Sequence, residues 1–159
     1  MDVTLIDTND EEFTATRCSA NIDGYETKAI IDSGAACCAI TRKLMEKLNL
    51  EIKMPSDASF RTADGSQHRS LGRLGKLYFN VGGVKTHANL EVIESKNDEI
   101  LILGTNWQKG NKVVMDFGNE EMEINGHGNI PIEFMIKDTE YEDEYEDEYE
   151  NENLRQTRL

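Results

Sequence analysis

The sequence predicts a mainly β fold made of short, mostly antiparallel strands, and three observations lead there. Leu77, Phe79 and Val81 alternate before Gly82-Gly83, and Val84, Thr86, Ala88, Leu90 and Val92 alternate after it, the period of two that gives a strand one buried face. Asp23-Gly24, a pair that tolerates the positive φ angles of a tight turn, separates two runs rich in Thr, Tyr, Ile and Ala, Phe13 to Ile22 and Tyr25 to Ile31. Helical periodicity, by contrast, is confined to two brief segments.

Taken in chain order, the first hairpin is residues 13 to 31 and the clearest is residues 77 to 92. Between them, Thr41 can cap a short helix whose Leu44 and Leu48 fall four apart on one face, with Asn49 able to end it in a left-handed conformation. Thr105 is placed to cap a second turn of helix through Trp107 and Gln108. A third hairpin joins Val113–Phe117 to Met122–Ile124 with its turn at Gly118-Asn119. The alternation Ile130, Ile132, Phe134, Ile136 closes the body, and Pro131 marks it as an edge or terminal strand.

The chain has 159 residues, with 17 Lys and Arg against 31 Asp and Glu, a net charge of -14. One domain fits that length. Ten acidic and two basic residues lie from Asp138 onward, which leaves the body with 21 acidic and 15 basic residues and a net charge of -6. The repeated Glu-Tyr-Glu-Asp of this tail cannot bury enough apolar area to offset its ordering entropy. The expected organisation is a polar N-terminal extension (1–12), a folded domain (13–136) and a disordered acidic tail (137–159). An acidic chain lacks the cations that neutralise phosphate, so no direct nucleic-acid partner is expected. No window approaches the roughly 20 apolar residues of a membrane span, and Met1 to Glu12 lacks a signal-peptide pattern, so the expected location is cytoplasmic, with no membrane partner.

Chemistry-bearing residues are few. Cys18, Cys37 and Cys38 are odd in number and form no CxxC pair, and His68, His87 and His127 are isolated, so neither a disulfide framework nor a metal site is expected. No GxxxxGK[ST] loop exists to cradle phosphate, and no cofactor is implied. Cys37 and Cys38 lie in an apolar stretch and read as small core residues rather than nucleophiles. The sharpest feature is Ala29-Ile30-Ile31-Asp32-Ser33-Gly34-Ala35, an apolar strand that delivers one carboxylate into a Ser-Gly turn. A carboxylate there is costly unless hydrogen-bonded or functional. Its plain reading is an Asx-type turn closing a strand.

Three further features follow in order: the helix from Thr41, a glycine hairpin candidate at Ala63-Asp64-Gly65-Ser66, and the apolar strand Ile100-Leu101-Ile102-Leu103-Gly104 ahead of a short helix. From about Phe13 to Ile124 this ensemble resembles the retropepsins, the single-domain aspartic proteases of retroviruses and gypsy-type retrotransposons, and their cellular relatives of the DNA-damage-inducible type. Thr62-Ala63-Asp64-Gly65-Ser66 followed by Leu71-Gly72 is most similar to the gypsy-type branch. The resemblance implies an all-β, closed acid-protease barrel with one or two short helices, working as a homodimer. It implies that Asp32 is the catalytic carboxylate, that Ser33 ties the two active-site loops together, and that Gly34 and Ala35 let the backbone approach substrate. Ala63, Asp64, Gly65 and Ser66 would form a flap tip over bound peptide, and Leu103 and Gly104 would support the catalytic loop from behind.

Physical chemistry makes one such aspartate insufficient. Peptide hydrolysis without metal or covalent intermediate needs a base for water and an acid for the carbonyl oxygen, and two carboxylates about 3 Å apart supply both by sharing a proton. Only one Asp-Ser-Gly is present, so activity would require two copies of the chain. The expected function is therefore an aspartic endopeptidase that processes a retrotransposon polyprotein, with Ile130 to Ile136 the best candidate for the strand that seals the dimer. The rivals are a catalytically silent peptide-binding or dimerisation module of the same fold, and an adaptor whose working part is the acidic tail. Ala35-Ala36-Cys37-Cys38-Ala39 departs from the Ser or Thr usual after the catalytic loop, and oxidation of the paired cysteines is a route by which activity could be lost.

Overall fold

A computed structural model describes residues 13–61, 65–96 and 98–136. The polar extension and the acidic tail expected at the two ends lie outside the described residues, as do Ala63 and Asp64 of the expected flap tip. Two units partition the chain, Ala15–Phe134 and a second made of Met1–Thr14 with Met135–Leu159.

The elements are β1 (Phe13–Ile22), β2 (Tyr25–Ile31), β3 (Cys38–Thr41), α1 (Arg42–Lys47), β4 (Ser59–Arg61), β5 (Gln67–Arg69), β6 (Gly72–Val81), β7 (Val84–Ile93), β8 (Leu101–Leu103), α2 (Thr105–Gly110), β9 (Val113–Asp116), β10 (Glu121–Ile124), β11 (His127–Pro131) and β12 (Glu133–Ile136). Six strands run in the order β1-β2-β8-β3-β7-β6, and β6 pairs back onto β1 through Ala20↔Val81 and Asn21↔Asn80. That pairing closes a barrel and removes the free sheet edges between its strands.

The first expected hairpin forms with its expected limits, and the second extends beyond its expected start, with β6 beginning at Gly72 rather than Leu77. Asp23 (φ 54°) and Gly24 (φ 91°) make the tight turn between β1 and β2, and the Asn21 side chain accepts a hydrogen bond from the Gly24 N–H at 2.9 Å. Across β6 and β7 the register Val81↔Val84, Phe79↔Thr86 and Leu77↔Ala88 brings the alternating apolar residues to one face. Those residues meet Cys18, Ala20, Ile22, Ala29, Ile31, Ile40, Leu101 and Leu103 in a single core. Leu44 of α1, Trp107 of α2, and Met122, Ile124 and Ile130 from the three-stranded sheet β9-β10-β11 complete it. The Thr41 side chain accepts from the Leu44 N–H, capping α1 as expected, and Asn49 follows the helix at φ 59°.

Three local expectations change. The β9–β10 turn occupies residues 117 to 120, because the register Asp116↔Glu121 leaves four residues between the strands, and the left-handed position is Glu120 (φ 55°) rather than Gly118 or Asn119. Asp116 organises that turn by accepting from the Asn119 backbone (3.3 Å) and side-chain amide (2.9 Å). Gly104, not Thr105, is the N-cap of α2, and Thr105 is the first helical residue. The terminal alternation divides into β11 and β12, since the Ile132 N–H turns to the Glu120 carbonyl at 3.1 Å. Ile130 and Ile132 are buried in the chain's own core, so neither is available as a surface strand face.

Candidate active site

Asp32 sits where β2 leaves the barrel wall. Its backbone N–H continues the β2–β8 ladder to the Leu103 carbonyl at 3.0 Å, and its own carbonyl accepts from Ala35 N–H at 3.1 Å, which folds Asp32-Ser33-Gly34-Ala35 into a turn. Asp32 Oδ1 accepts from the Gly34 N–H at 2.9 Å. This is the Asx-type closure, and it holds the carboxyl group over its own loop. Asp32 and Ala35 are buried whereas Ser33 and Gly34 are exposed, so the two residues of the loop tip face outward.

Leu103 and Gly104 lie directly behind this turn. Leu103 is fully buried, and Gly104 is pressed against the loop from the other side: a Cβ there would lie 2.4 Å from the Cys37 carbonyl oxygen and 2.5 Å from that of Ala35. Only glycine fits such a backbone approach. Thr105 then donates its N–H to the Ala35 carbonyl at 2.8 Å, with its hydroxyl 3.4 Å from the same oxygen. Cys38 completes the seam. Its thiol donates to Asn106 Oδ1 at 3.0 Å and its sulfur accepts from the Gly104 N–H at 3.3 Å. Burial, partly opposed by the backbone hydrogen bonds from Gly104 and Trp107, pushes this thiol up to about 11.

Strand register identifies what shares a face with Asp32. Ile30 pairs with Ile102, Ile102 with Ala39, Ala39 with Glu91, and Glu91 with Arg73. Side chains alternate along a strand, so Asp32, two residues beyond Ile30, projects on the side of this row. Ala35, Ala39, Ile93 and Ile102 form a small apolar cluster of their own, separate from the barrel core, with Phe60 and Ile100 packed on it. Phe60 belongs to the β4–β5 hairpin, so that hairpin rests on the apolar floor beside Ala35 of the Asp32 turn. Toward its tip, Gly65 has φ 89° and its carbonyl accepts from Arg61 at 3.1 Å, while Ser66 Oγ lies 3.0 Å from His68 Nε2.

At the edge of the row Arg73 Nε donates to Glu91 Oε2 at 2.9 Å. Burial raises the Glu91 carboxyl, but the Ser70, Ser56 and Arg73 side chains and the Arg73 charge outweigh it and hold the group below the ordinary carboxylate value. The half-buried Cys37 thiol is pushed up by burial and by the Glu91 charge, against Arg73. All three cysteines are free thiols. Among the described residues no three His, Cys, Asp or Glu side chains are grouped to hold a metal, and no helix is long and apolar enough to cross a membrane.

The site therefore gathers Asp32, Ser33, Gly34, Ala35, Leu103 and Gly104 as the sequence reading paired them. That reading missed Thr105, Asn106 and Cys38 as the clamp behind the loop, and Phe60, Ala39 and Ile93 as its apolar flank. Thr105 carries a signal, a hydroxyl one residue past the glycine, but in the sequence alone that hydroxyl fits a helix cap equally well.

The closed barrel, the aspartate turn at a strand end and the apolar-glycine strand behind it define the retropepsin-like aspartic-protease fold. The crystal structure of the retroviral protease-like domain of Ddi1 from Leishmania major superposes with a TM-score of 0.56 at 17% identity, covering 79% of this chain and 96% of that one. The solution structure of simian foamy virus (mac) protease is 26% identical over 58% of this chain and 91% of its own, with a TM-score of 0.36. No curated protein sequence matches. Residues 18–109, more than half of the chain, match the family described as "gag-polyprotein putative aspartyl protease", and the chain belongs to that family.

Proposed function

We propose that the protein is an aspartic endopeptidase that hydrolyses peptide bonds of a gag-type polyprotein, as a homodimer with one Asp32 from each copy. The observation that carries this reading is the single Asp-Ser-Gly turn, clamped from behind by Gly104 and Thr105 and flanked by an apolar floor. One carboxylate cannot be both base and acid in the same step, so the mechanism requires a second. Two carboxylates facing each other across a two-fold axis share one proton: the ionised group takes a proton from water as it attacks the scissile carbonyl, and the protonated group donates to the carbonyl oxygen. The pair titrates as a unit.

In this arrangement Ser33, exposed beside Asp32, bridges the loops of the two copies, and Gly34 and Ala35 border the peptide. The β4–β5 hairpin closes over the substrate as a flap, with Gly65 and Ser66 toward its described end and Gly65 at a left-handed φ. Leu103 and Gly104 fix the height of the catalytic loop. No cofactor takes part, and a cytoplasmic polyprotein, of a retrotransposon or a domesticated descendant, is the proposed substrate. Asp32→Asn preserves shape and removes one titratable oxygen per copy. Its expected result is loss of peptide cleavage by at least about a hundredfold, the lower range for a general acid–base residue, with an unchanged circular dichroism spectrum. Turnover equal to the wild type refutes the assignment.

A further inference from the structure

The face of the β6–β7 hairpin that points away from the core carries no acid along its outer half. Cross-strand pairs put Lys76 beside Asn89, Tyr78 beside His87, and Asn80 beside Lys85, six outward positions with two lysines, a histidine and no carboxylate. In a chain with 31 acidic residues against 17 basic ones, that stretch of surface stands apart. Tyr78 is 54% exposed at its centre. Lys85 Nζ lies 5.0 Å and Lys76 Nζ 6.0 Å from the Tyr78 ring centroid, and the His87 ring meets it edge-on at 5.9 Å. Behind this face the buried Asn111 side chain accepts from the His87 N–H (3.3 Å) and donates to the His87 carbonyl (3.0 Å), which fixes the strand that carries His87. A cleft of about 280 Å³ adjoins the patch, lined by Asn21, Asp23, Gly24, Tyr78, Phe79, Asn80 and Lys85, with Asp23 its one carboxylate.

We infer that this face docks an acidic peptide segment, one with glutamates at alternate positions. The two ammonium groups are at most 11 Å apart, the sum of their distances to the shared ring. Alternate side chains of an extended peptide lie about 7 Å apart on one side, so Glu-x-Glu spans the lysine pair. With both ammonium groups gathered about the Tyr78 ring, what the patch offers outward is N–H and O–H donors, which suit carboxylates. Asn80 and Asn89 add amides for a peptide backbone. The site lies on the part of β7 that precedes its pairing with β3, away from the Asp32 loop, and does not depend on catalysis.

The test uses the full chain and a fluorescein-labelled peptide of three Glu-Tyr-Glu-Asp repeats, titrated to millimolar protein and read by anisotropy. Saturable binding that weakens at least tenfold in K76E/K85E, and falls between 50 and 300 mM salt as about two ion pairs require, supports the inference. Equal affinity in K76E/K85E, or no saturation in the wild type, overturns it. A single-stranded oligonucleotide of equal charge that binds more tightly than the peptide overturns the choice of partner. Circular dichroism confirms that K76E/K85E folds, as two exposed lysines predict.

Discussion

Replacing Gly104 with alanine drives a methyl group into the back of the Asp32 turn. The added Cβ would stand 2.4 Å from the Cys37 carbonyl oxygen, 2.5 Å from that of Ala35 and 2.9 Å from the Cys37 carbonyl carbon. Ordinary contact needs about 1 Å more. All three atoms are backbone, so no rotamer relieves the overlap. The Ala35 carbonyl cannot retreat without losing the Thr105 N–H at 2.8 Å, and the Asp32 turn moves with it. Overpacking costs about 1–3 kcal/mol where side chains can adjust, and the upper end applies where they cannot. At about 2–4 °C per kcal/mol for a chain of this size, Gly104→Ala lowers the melting temperature by about 6 to 12 °C. Gly128→Ala is the control, because a Cβ at Gly128 meets nothing within 4 Å, and its shift stays under about 2 °C. Calorimetry or thermal circular dichroism reads both. If Gly104→Ala melts within 2 °C of Gly128→Ala, the loop is not clamped from behind as described.

Two more outcomes follow from single side chains. Lys47 and the Tyr25 hydroxyl donate to the Glu99 carboxylate at 3.0 and 2.8 Å and, against its burial, hold it below its ordinary value of 4.5. A carboxyl depressed in the folded state stabilises it above the unfolded value and ceases to as pH falls through the folded one. The melting-temperature gap between the wild type and Glu99→Gln is therefore full near pH 6 to 7 and closes below about pH 4; a gap independent of pH contradicts the pairing. For the thiols, burial raises Cys18 to about 12 and Cys38 to about 11, and only Cys37 is partly exposed. Iodoacetamide at pH 7.5 followed by peptide mass spectrometry should modify Cys37 slowly and the other two only in denaturant. Native labelling of Cys38 as fast as Cys37 would show that the seam to Asn106 and Gly104 opens. The same ordering limits oxidation near the loop to Cys37, because the thiolate is the reactive form.

Much of the barrel was readable because its longest strands alternate. Hairpins 13–31 and 72–93 each have one face on the core and a turn whose residues accept left-handed angles, so period and punctuation agree. The four residues of β3 were not recognised as a strand, since all are buried and no alternation remains. β3 lies between β7, which it meets in parallel, and β8, which covers it from the other side, and strands enclosed in that way read as plain apolar runs. The aspartate turn was legible as a local string, Asp32 to Ala35. Their clamp was not, because Thr105 and Asn106 reach Ala35 and Cys38 across about seventy residues of chain, and no local pattern records such a contact. Phe60 was missed for the same reason: its partners Ala35, Ala39, Ile93 and Ile102 come from three other strands and a turn.

The central claim is that two copies of Asp32 make one active site, and subunit mixing tests it most directly. A fixed amount of wild type is incubated with increasing Asp32→Asn, given time to exchange, and assayed for peptide cleavage. If the dyad needs both carboxylates, mixed dimers are silent: cleavage falls to about half at equal amounts and to about a tenth with a ninefold excess of variant, as random pairing dictates. Cleavage that stays constant across the series, with sedimentation showing that the two chains do mix, contradicts the shared dyad.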